Sequence, residues 1–395
     1  MVLNSDMSKD YTPWPNYSEE EGQIVKEVLL SNRVNYLHGA VGRKFESKFS
    51  MLCQCEHSIA LANGTLAIDI ALVALGIGEG DEVIVTPRSF MASASAIHNS
   101  RARPVFADVD LDSQNITAES VAAVISDRTR AILCVHLAGW PCDLDPIMEL
   151  VDGKNIAVIE DCAQAHGAQY RGRPVGALGD IGAWSFCTDK IMTTGGEGGM
   201  VTTNSAEHYE TMWAYKDHGK NRTKIETPSR DRGFKYVHDS FGSNFRLTEM
   251  QSAIGLYQLG LLPQWTEQRN RNAMQYHTAL ADMDVVRSPL PESDIVHAYY
   301  KYYLFLNLHV LKANWDRDRV MREVNSKGGN ILSGSCPELY MEQAFISEYG
   351  SQKQRPNAAR LGTESLMLVV HPGLTSEYID FNIEVLTTVL HDVTK

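Results

Sequence analysis

Short apolar runs alternate with stretches of helical periodicity through the first two thirds of the chain. Residues 58–62 form one such run, followed by Asn63, Gly64 and Thr65 and then an apolar helix to Leu75. Further runs lie at 82–86, 104–108, 131–136 and 156–160, and the spacing between them predicts helices over 92–99, 118–125 and 146–151. Strands separated by helices of this length build right-handed strand–helix–strand units. The expected class is α/β, with a mainly parallel sheet flanked by helices. In such sheets ligands sit beyond the C-terminal ends of the strands. Asn63, Gly64, Thr65, Arg88, Ser89, Phe90, His136 and Asp161 all fall at or just after strand ends, so they are expected to converge on one crevice.

The flanks follow other patterns. Residues 1–16 resemble an extended arm in which Pro13 and Pro15 enclose Trp14. Ser18 and Glu21 suit a capping box for a helix with Ile24, Val25, Val28 and Leu29 on one face. Val41, Phe45, Phe49 and Leu52 predict a second helix. Beyond a helix starting at 206, the polar stretch 219–239 is too long for an ordinary connection and reads as a functional loop or subunit contact. A helix over 250–259 is expected to break at Pro263, and a long helix over 265–283 to lead into a smaller C-terminal α+β unit. That unit holds an alternating run at 299–308 and helices at 316–326 and 377–390. Two domains are expected, 1–265 and 266–395.

Composition narrows the partners. The chain of 395 residues is 44% hydrophobic and 22% charged, with a formal net charge of −13. Such an acidic chain has no electrostatic reason to seek nucleic acid or an anionic membrane surface. No apolar run approaches membrane-spanning length, and the polar start carries no signal-peptide pattern. The seven cysteines are scattered without zinc-like spacing. No metal site is expected, and a reduced, cytoplasmic chain is.

Candidate chemistry centres on residues 180–200. An apolar run (181–186) carrying Ser185 leads to Lys190, a turn with Gly195, Gly196, Gly198 and Gly199, and a second run at 200–203. A lysine framed in this way is placed to act as a Schiff-base nucleophile, although a solvated loop lysine would share the pattern. Asp161 ends a buried strand, where a carboxylate is costly without a cationic partner. A protonated pyridine nitrogen would be such a partner; a helix N-cap Asp is the alternative. Gln164 is within reach of a ring oxygen, and His166 either lines the same pocket or belongs to the core. Gly64 and Thr65 open a helix after a strand, which suits a phosphate, with Ser185 offering a further hydroxyl. Phe90 is placed either to stack on a flat ring or to pack in the core. Pyridoxal phosphate accounts for these features jointly.

The residues then become familiar. Ala62-Asn63-Gly64-Thr65, Gly80-Asp81-Glu82-Val83-Ile84-Val85-Thr86-Pro87, Glu160-Asp161-Cys162-Ala163-Gln164-Ala165-His166-Gly167, Ser185-Phe186 with Lys190, Glu197-Gly198-Gly199-Met200, Asp217-His218-Gly219 and Asn244-Phe245-Arg246-Leu247-Thr248-Glu249-Met250-Gln251 occur in order, with His371-Pro372-Gly373-Leu374 near the end. On these segments the sequence resembles the sugar aminotransferases of the DegT/StrS type, which have the fold-type I aspartate-aminotransferase architecture. The resemblance implies that Lys190 carries pyridoxal 5'-phosphate and that Asp161 pairs with its ring nitrogen. Gln164 would bond the ring oxygen, Phe90 would stack, and Gly64, Thr65 and Ser185 would hold the phosphate. Asn244 would reach the phosphate of a neighbouring subunit, giving a homodimer with shared active sites. Arg88, His166 and Arg246 are candidate substrate residues, Arg88 for a carboxylate. One departure is an extra glycine before Glu197.

The implied reaction moves an amino group from L-glutamate to a keto- or aldehydo-sugar for polysaccharide or lipopolysaccharide synthesis. Relatives with histidine in place of the lysine dehydrate the sugar instead, and Lys190 argues against that. Residues 185–196, together with Asn35-Tyr36-Leu37-His38-Gly39, resemble a subgroup that forms 8-amino-3,8-dideoxy-octulosonate from the 8-oxo sugar acid. The alternative acceptor is a nucleotide-linked 3- or 4-keto deoxysugar.

Overall fold

Each predicted strand of the first half finds its neighbours in one seven-stranded sheet of the computed structural model, which describes residues 11–227 and 235–395. Across the sheet the strands are His57–Leu61, Gly199–Thr203, Ile181–Ser185, Ala157–Asp161, Thr129–Val135, Glu82–Val85 and Arg103–Phe106. Gly199–Thr203 runs antiparallel to both of its neighbours, and the remaining pairs are parallel. Helices cover both faces, so successive side chains enter two different cores. Ile84, Ile132 and Cys134 face one, while Val83, Val85, Ala131, Leu133 and Val135 face the other. That burial on both sides is why these strands read as continuous apolar runs.

The capping signals act as expected. The Ser18 amide donates to Glu21 Oε2 at 2.8 Å and the Glu21 amide to Ser18 Oγ at 3.2 Å, starting the helix Glu19–Leu30. Thr248 and Gln251 form a second capping box.

The break expected at Pro263 does not occur. One helix, Glu249–Leu280, runs through it. Packing holds both halves: Gln258 donates to Glu21 Oε1 at 2.7 Å and accepts from the Thr193 amide at 2.8 Å. Beyond the proline, Asn272 Nδ2 donates to the Val370 and His371 carbonyls, both at 3.2 Å. These buried contacts outweigh the lost backbone bond at Pro263.

A second, antiparallel sheet orders Val286–Arg287, Tyr302–Leu306, Ser365–Leu368 and Ile331–Leu332. Helices Arg317–Ser326 and Ser376–Val393 pack with it. Its strand Tyr302–Leu306 starts later than the alternation predicts, because the residues before it are bound elsewhere. The amides of Ala298 and Tyr300 donate to the carbonyls of Gly139 and Ala138, at 2.9 and 2.8 Å. That detour carries Tyr300 and Lys301 to the edge of the large sheet. Within 219–240, the short helix Arg222–Glu226 is described, and 228–234 lie outside the described residues, as do residues 1–10 of the arm. No helix among the described residues is long and apolar enough to cross a membrane.

Candidate active site

Ala157–Asp161 and Ile181–Ser185 run side by side in parallel, so Asp161 and Ser185 reach the same edge of the sheet. With the helix start at 63–66 and the loop at 89–93, they line a cavity of about 920 Å³. Lys190, Gln164 and Phe90 line it too.

Asp161 is only 5% exposed. Its hydrogen bonds come from Ser93 Oγ at 2.8 Å and the Ala163 amide at 3.1 Å, neither of them a cation. Turns rather than a helix follow it, so the N-cap alternative drops out. A carboxylate buried in this way is stabilised by a positive group brought by a ligand. Gln164 Oε1 accepts from the Ala138 amide at 2.7 Å, which leaves its Nε2 as a donor. Phe90, by contrast, is 71% exposed, a large apolar ring bare to the cavity.

The helix Gly64–Ala74 presents its first turn to the same space. Asn63 Oδ1 caps the Leu66 amide at 2.9 Å, and the Gly64 and Thr65 amides before it remain to bind an anion. A Cβ on Gly64 would lie 2.5 Å from Ser185 Cβ, so only glycine lets the helix start against that serine.

Lys190 sits beyond the strand, its amide bonded to the Cys187 carbonyl at 3.0 Å and its carbonyl to Trp14 Nε1 at 2.8 Å. Its Nζ lies 5.1 Å from the centroid of the Tyr300 ring. Gly195 and Gly196 take φ of +83° and +122°, backbone that side-chain-bearing residues rarely adopt; the extra glycine is accommodated there. Burial would raise the carboxyl of neighbouring Asp189, but Lys190, the Tyr300 hydroxyl and Lys301 hold it below its ordinary value.

Four expected residues lie away from the cavity lining. Arg88 is fully buried, with Nε on Gln114 Oε1 and Nη2 on Ser365 Oγ, both at 2.8 Å. Its amide bonds the Thr86 hydroxyl at 3.1 Å in a turn that sends Arg88 to the small sheet and Phe90 to the cavity. Arg88, expected to meet a substrate carboxylate, is thus turned away from the cavity. His166 packs between Trp184 and Phe186, with ring centroids 5.3 and 5.5 Å away and neither nitrogen bonded. Burial, reinforced by Lys190 and Arg269, pushes it down to about 3, so it is a neutral core histidine. Arg246 is held by Asp217, Nη1 to Oδ1 at 2.5 Å. Asn244 is exposed and bridges to Asp217 outside the cavity of its own chain.

Other residues at the site carried little signal. Ser93, which bonds Asp161, is one small residue in a helix of small residues. Trp14 lies in the stretch that the sequence predicts as an extended arm. Lys301 lines the cavity, and its signal was a lone charge inside the aromatic run 299–303.

The residues present suit pyridoxal phosphate: the buried Asp161 lacks a cation, the Gly64 cradle has no room for a Cβ, and the bare Phe90 ring lines the same cavity as Lys190. The fold and the site together define a fold-type I transferase dependent on that cofactor. When bound, the cofactor supplies an electron sink at the carbon that loses or gains nitrogen. Residues 15–387 match the DegT/DnrJ/EryC1/StrS aminotransferase family, and the chain belongs to it. It is 35% identical over 390 residues to a GDP-perosamine synthase of Caulobacter vibrioides, covering 98% of this chain and 100% of that one. It is 32% identical over 357 residues to the dTDP-3-amino-3,4,6-trideoxy-alpha-D-glucose transaminase of Streptomyces venezuelae, covering 90% and 88%. Among solved structures, the aminotransferase from Psychrobacter cryohalolentis superposes with a TM-score of 0.95 at 49% identity, over 97% of this chain and 99% of that one. The chain is a pyridoxal-phosphate-dependent transaminase of the sugar aminotransferase family.

Proposed function

We propose that the chain moves an amino group from L-glutamate to a keto- or aldehydo-sugar used in cell-surface polysaccharide or lipopolysaccharide synthesis. The observation that carries this reading is the meeting of Lys190, buried Asp161 and bare Phe90 on one cavity. Lys190 Nζ takes the α-proton of the amino donor, and in the second half-reaction it delivers a proton to the sugar carbon that receives nitrogen. Asp161 keeps the ring nitrogen protonated, Gln164 Nε2 donates to the ring oxygen, and Phe90 stacks. Gly64, Thr65 and Ser185 hold the phosphate, and Asn244 reaches the phosphate of the other subunit in a cytoplasmic homodimer. Residue 265 is kept as the junction of the large and small domains.

Two acceptors fit. The relatives' printed names, a GDP-perosamine synthase and a dTDP-sugar transaminase, support a nucleotide-linked keto sugar. An 8-oxo octulosonate, a sugar acid without a nucleotide, is supported by a cavity whose lining bases among the described residues are two lysines and no arginine. Protein loaded with pyridoxamine phosphate and mixed with each class separates them: the true acceptor restores the visible absorbance of the cofactor and gains one amino group by mass. Failure with every keto- and aldehydo-sugar, while a keto acid succeeds, would remove sugars from the reading.

A further inference from the structure

We infer that Lys301 recognises an ionised substrate carboxylate inside the cavity and so sets a preference for acidic substrates. This rests on the aminotransferase reading for what occupies the site. Lys301 and Lys190 share the cavity, and the Tyr300 ring serves both amines: Lys190 Nζ stands 5.1 Å and Lys301 Nζ 4.9 Å from its centroid. The Tyr300 hydroxyl donates to Asp189, which fixes the ring.

Two further cations, Arg269 and Lys190, act on Lys301. Arg269 behind it is fully buried; its Nη1 bonds only the carbonyls of Tyr299 and Tyr300, each at 3.3 Å, and its Nε and Nη2 have no partner. Arg269 and Lys190 act on Lys301 as like charges and Asp189 as an opposite one, while Asp161, Glu197 and Glu342 also line the cavity. Within the described residues the Lys301 ammonium has the Tyr300 ring beside it and no carboxylate or carbonyl bonded to it. A half-buried ammonium on a cavity wall, with a ring face as its protein neighbour, is free to exchange water for an anionic group of a ligand. Burial, with Arg269 and Lys190 adding to it, presses Lys301 down to about 8; it remains largely charged at neutral pH, and an incoming anion would keep it so.

The shape of the site favours a carboxylate. An ammonium is a point charge with three rotatable donors, and among the described residues no arginine fork lines the cavity. The cofactor phosphate has its own cradle at Gly64, Thr65 and Ser185. The carboxylate comes either from the amino donor or from a sugar-acid acceptor.

The test uses the holoenzyme and the variants Lys301→Met and Lys301→Arg. Calorimetry measures binding of glutarate, an unreactive dicarboxylate, against butyrate, its monocarboxylate counterpart. In Lys301→Met the glutarate dissociation constant should rise at least tenfold while butyrate binding holds, and Lys301→Arg should keep most of the glutarate affinity. The two half-reactions then identify the source. A KM rise confined to L-glutamate assigns the donor, and one confined to the sugar acid assigns the acceptor. Unchanged glutarate binding in Lys301→Met together with unchanged KM for L-glutamate and for the sugar acid would overturn the inference, as would a matching loss of cofactor affinity. If wild-type holoenzyme exchanges no nitrogen with glutamate, the donor reading fails, while the glutarate result still judges Lys301.

Discussion

Trp14 donates its indole Nε1–H to the backbone carbonyl of Lys190 at 2.8 Å, across 176 positions of chain. The same ring stands edge-on to Trp265 at 5.0 Å, stacks on His371 at 5.7 Å and lies 5.2 Å from the Arg269 guanidinium. The arm is therefore a strut for the backbone of Lys190. Trp14→Phe keeps most of the packing and removes the donor, a loss of about 1 kcal/mol. Cofactor retention, measured by dialysis, should weaken about fivefold if that loss falls on the lysine's placement. Retention equal to wild type would mean that the bond holds only the arm.

On the proposed roles Asp161 holds the ring nitrogen and Lys190 carries the cofactor, so their variants should fail differently. Asp161→Asn preserves shape and removes the charge; turnover should drop by roughly 10²–10³-fold, as for other removed electrostatic partners, while borohydride still fixes the cofactor to the protein. Lys190→Ala should lose that adduct altogether, as seen by mass spectrometry of the 185–196 peptide. Turnover in Asp161→Asn within tenfold of wild type would separate Asp161 from the ring nitrogen.

Most of the residues expected to hold the cofactor meet on one cavity because they follow strand ends. There the residue type is dictated by a backbone approach, as at Gly64, or by a buried charge, as at Asp161. The residues expected to meet substrate do not join them, because their placement is not legible in the sequence alone. Arg88 looks available in sequence, yet one hydrogen bond from its amide to Thr86 turns it toward Ser365. Lys301 reaches the cavity only because residues 298–300 leave their strand to bond Gly139 and Ala138. Such tertiary detours have no period to read. The helix through Pro263 makes the same point: local chemistry predicts a break, and contacts from Glu21, Thr193 and residues 370–371 override it.

Asn244 is exposed in its own chain, so its proposed role demands a partner subunit. Mixed dimers test this. If Asn244 serves the other chain's site, a Lys190→Ala chain paired with an Asn244→Ala chain holds one fully broken site and one intact site. Random mixing of the two inactive proteins should then restore about a quarter of wild-type turnover. If Asn244 acts within its own chain, each site of the hybrid lacks one residue and mixing restores nothing.

Acid stability should report the buried histidines. His166, His297 and His371 are each pushed down to about 3, by burial first, with Arg269 adding at His166 and His371. His297 Nδ1 also accepts from the Tyr299 amide at 2.8 Å, a bond only the neutral ring can make. Above the ordinary value of 6.5 these rings are neutral in both folded and unfolded chains and contribute no pH dependence. As pH falls below it, the unfolded chain takes up protons that the folded chain refuses, so stability declines until about 3. Each ring contributes about 1.4 kcal/mol per pH unit at full effect. Between roughly pH 6 and 5 most carboxylates stay ionised, and the histidines dominate the slope. His166→Phe, which fits beside Trp184 and Phe186, should flatten that slope by close to one proton in urea titrations at fixed pH. An unchanged slope would mean that His166 is protonated in the folded chain and has a counter-charge beside it.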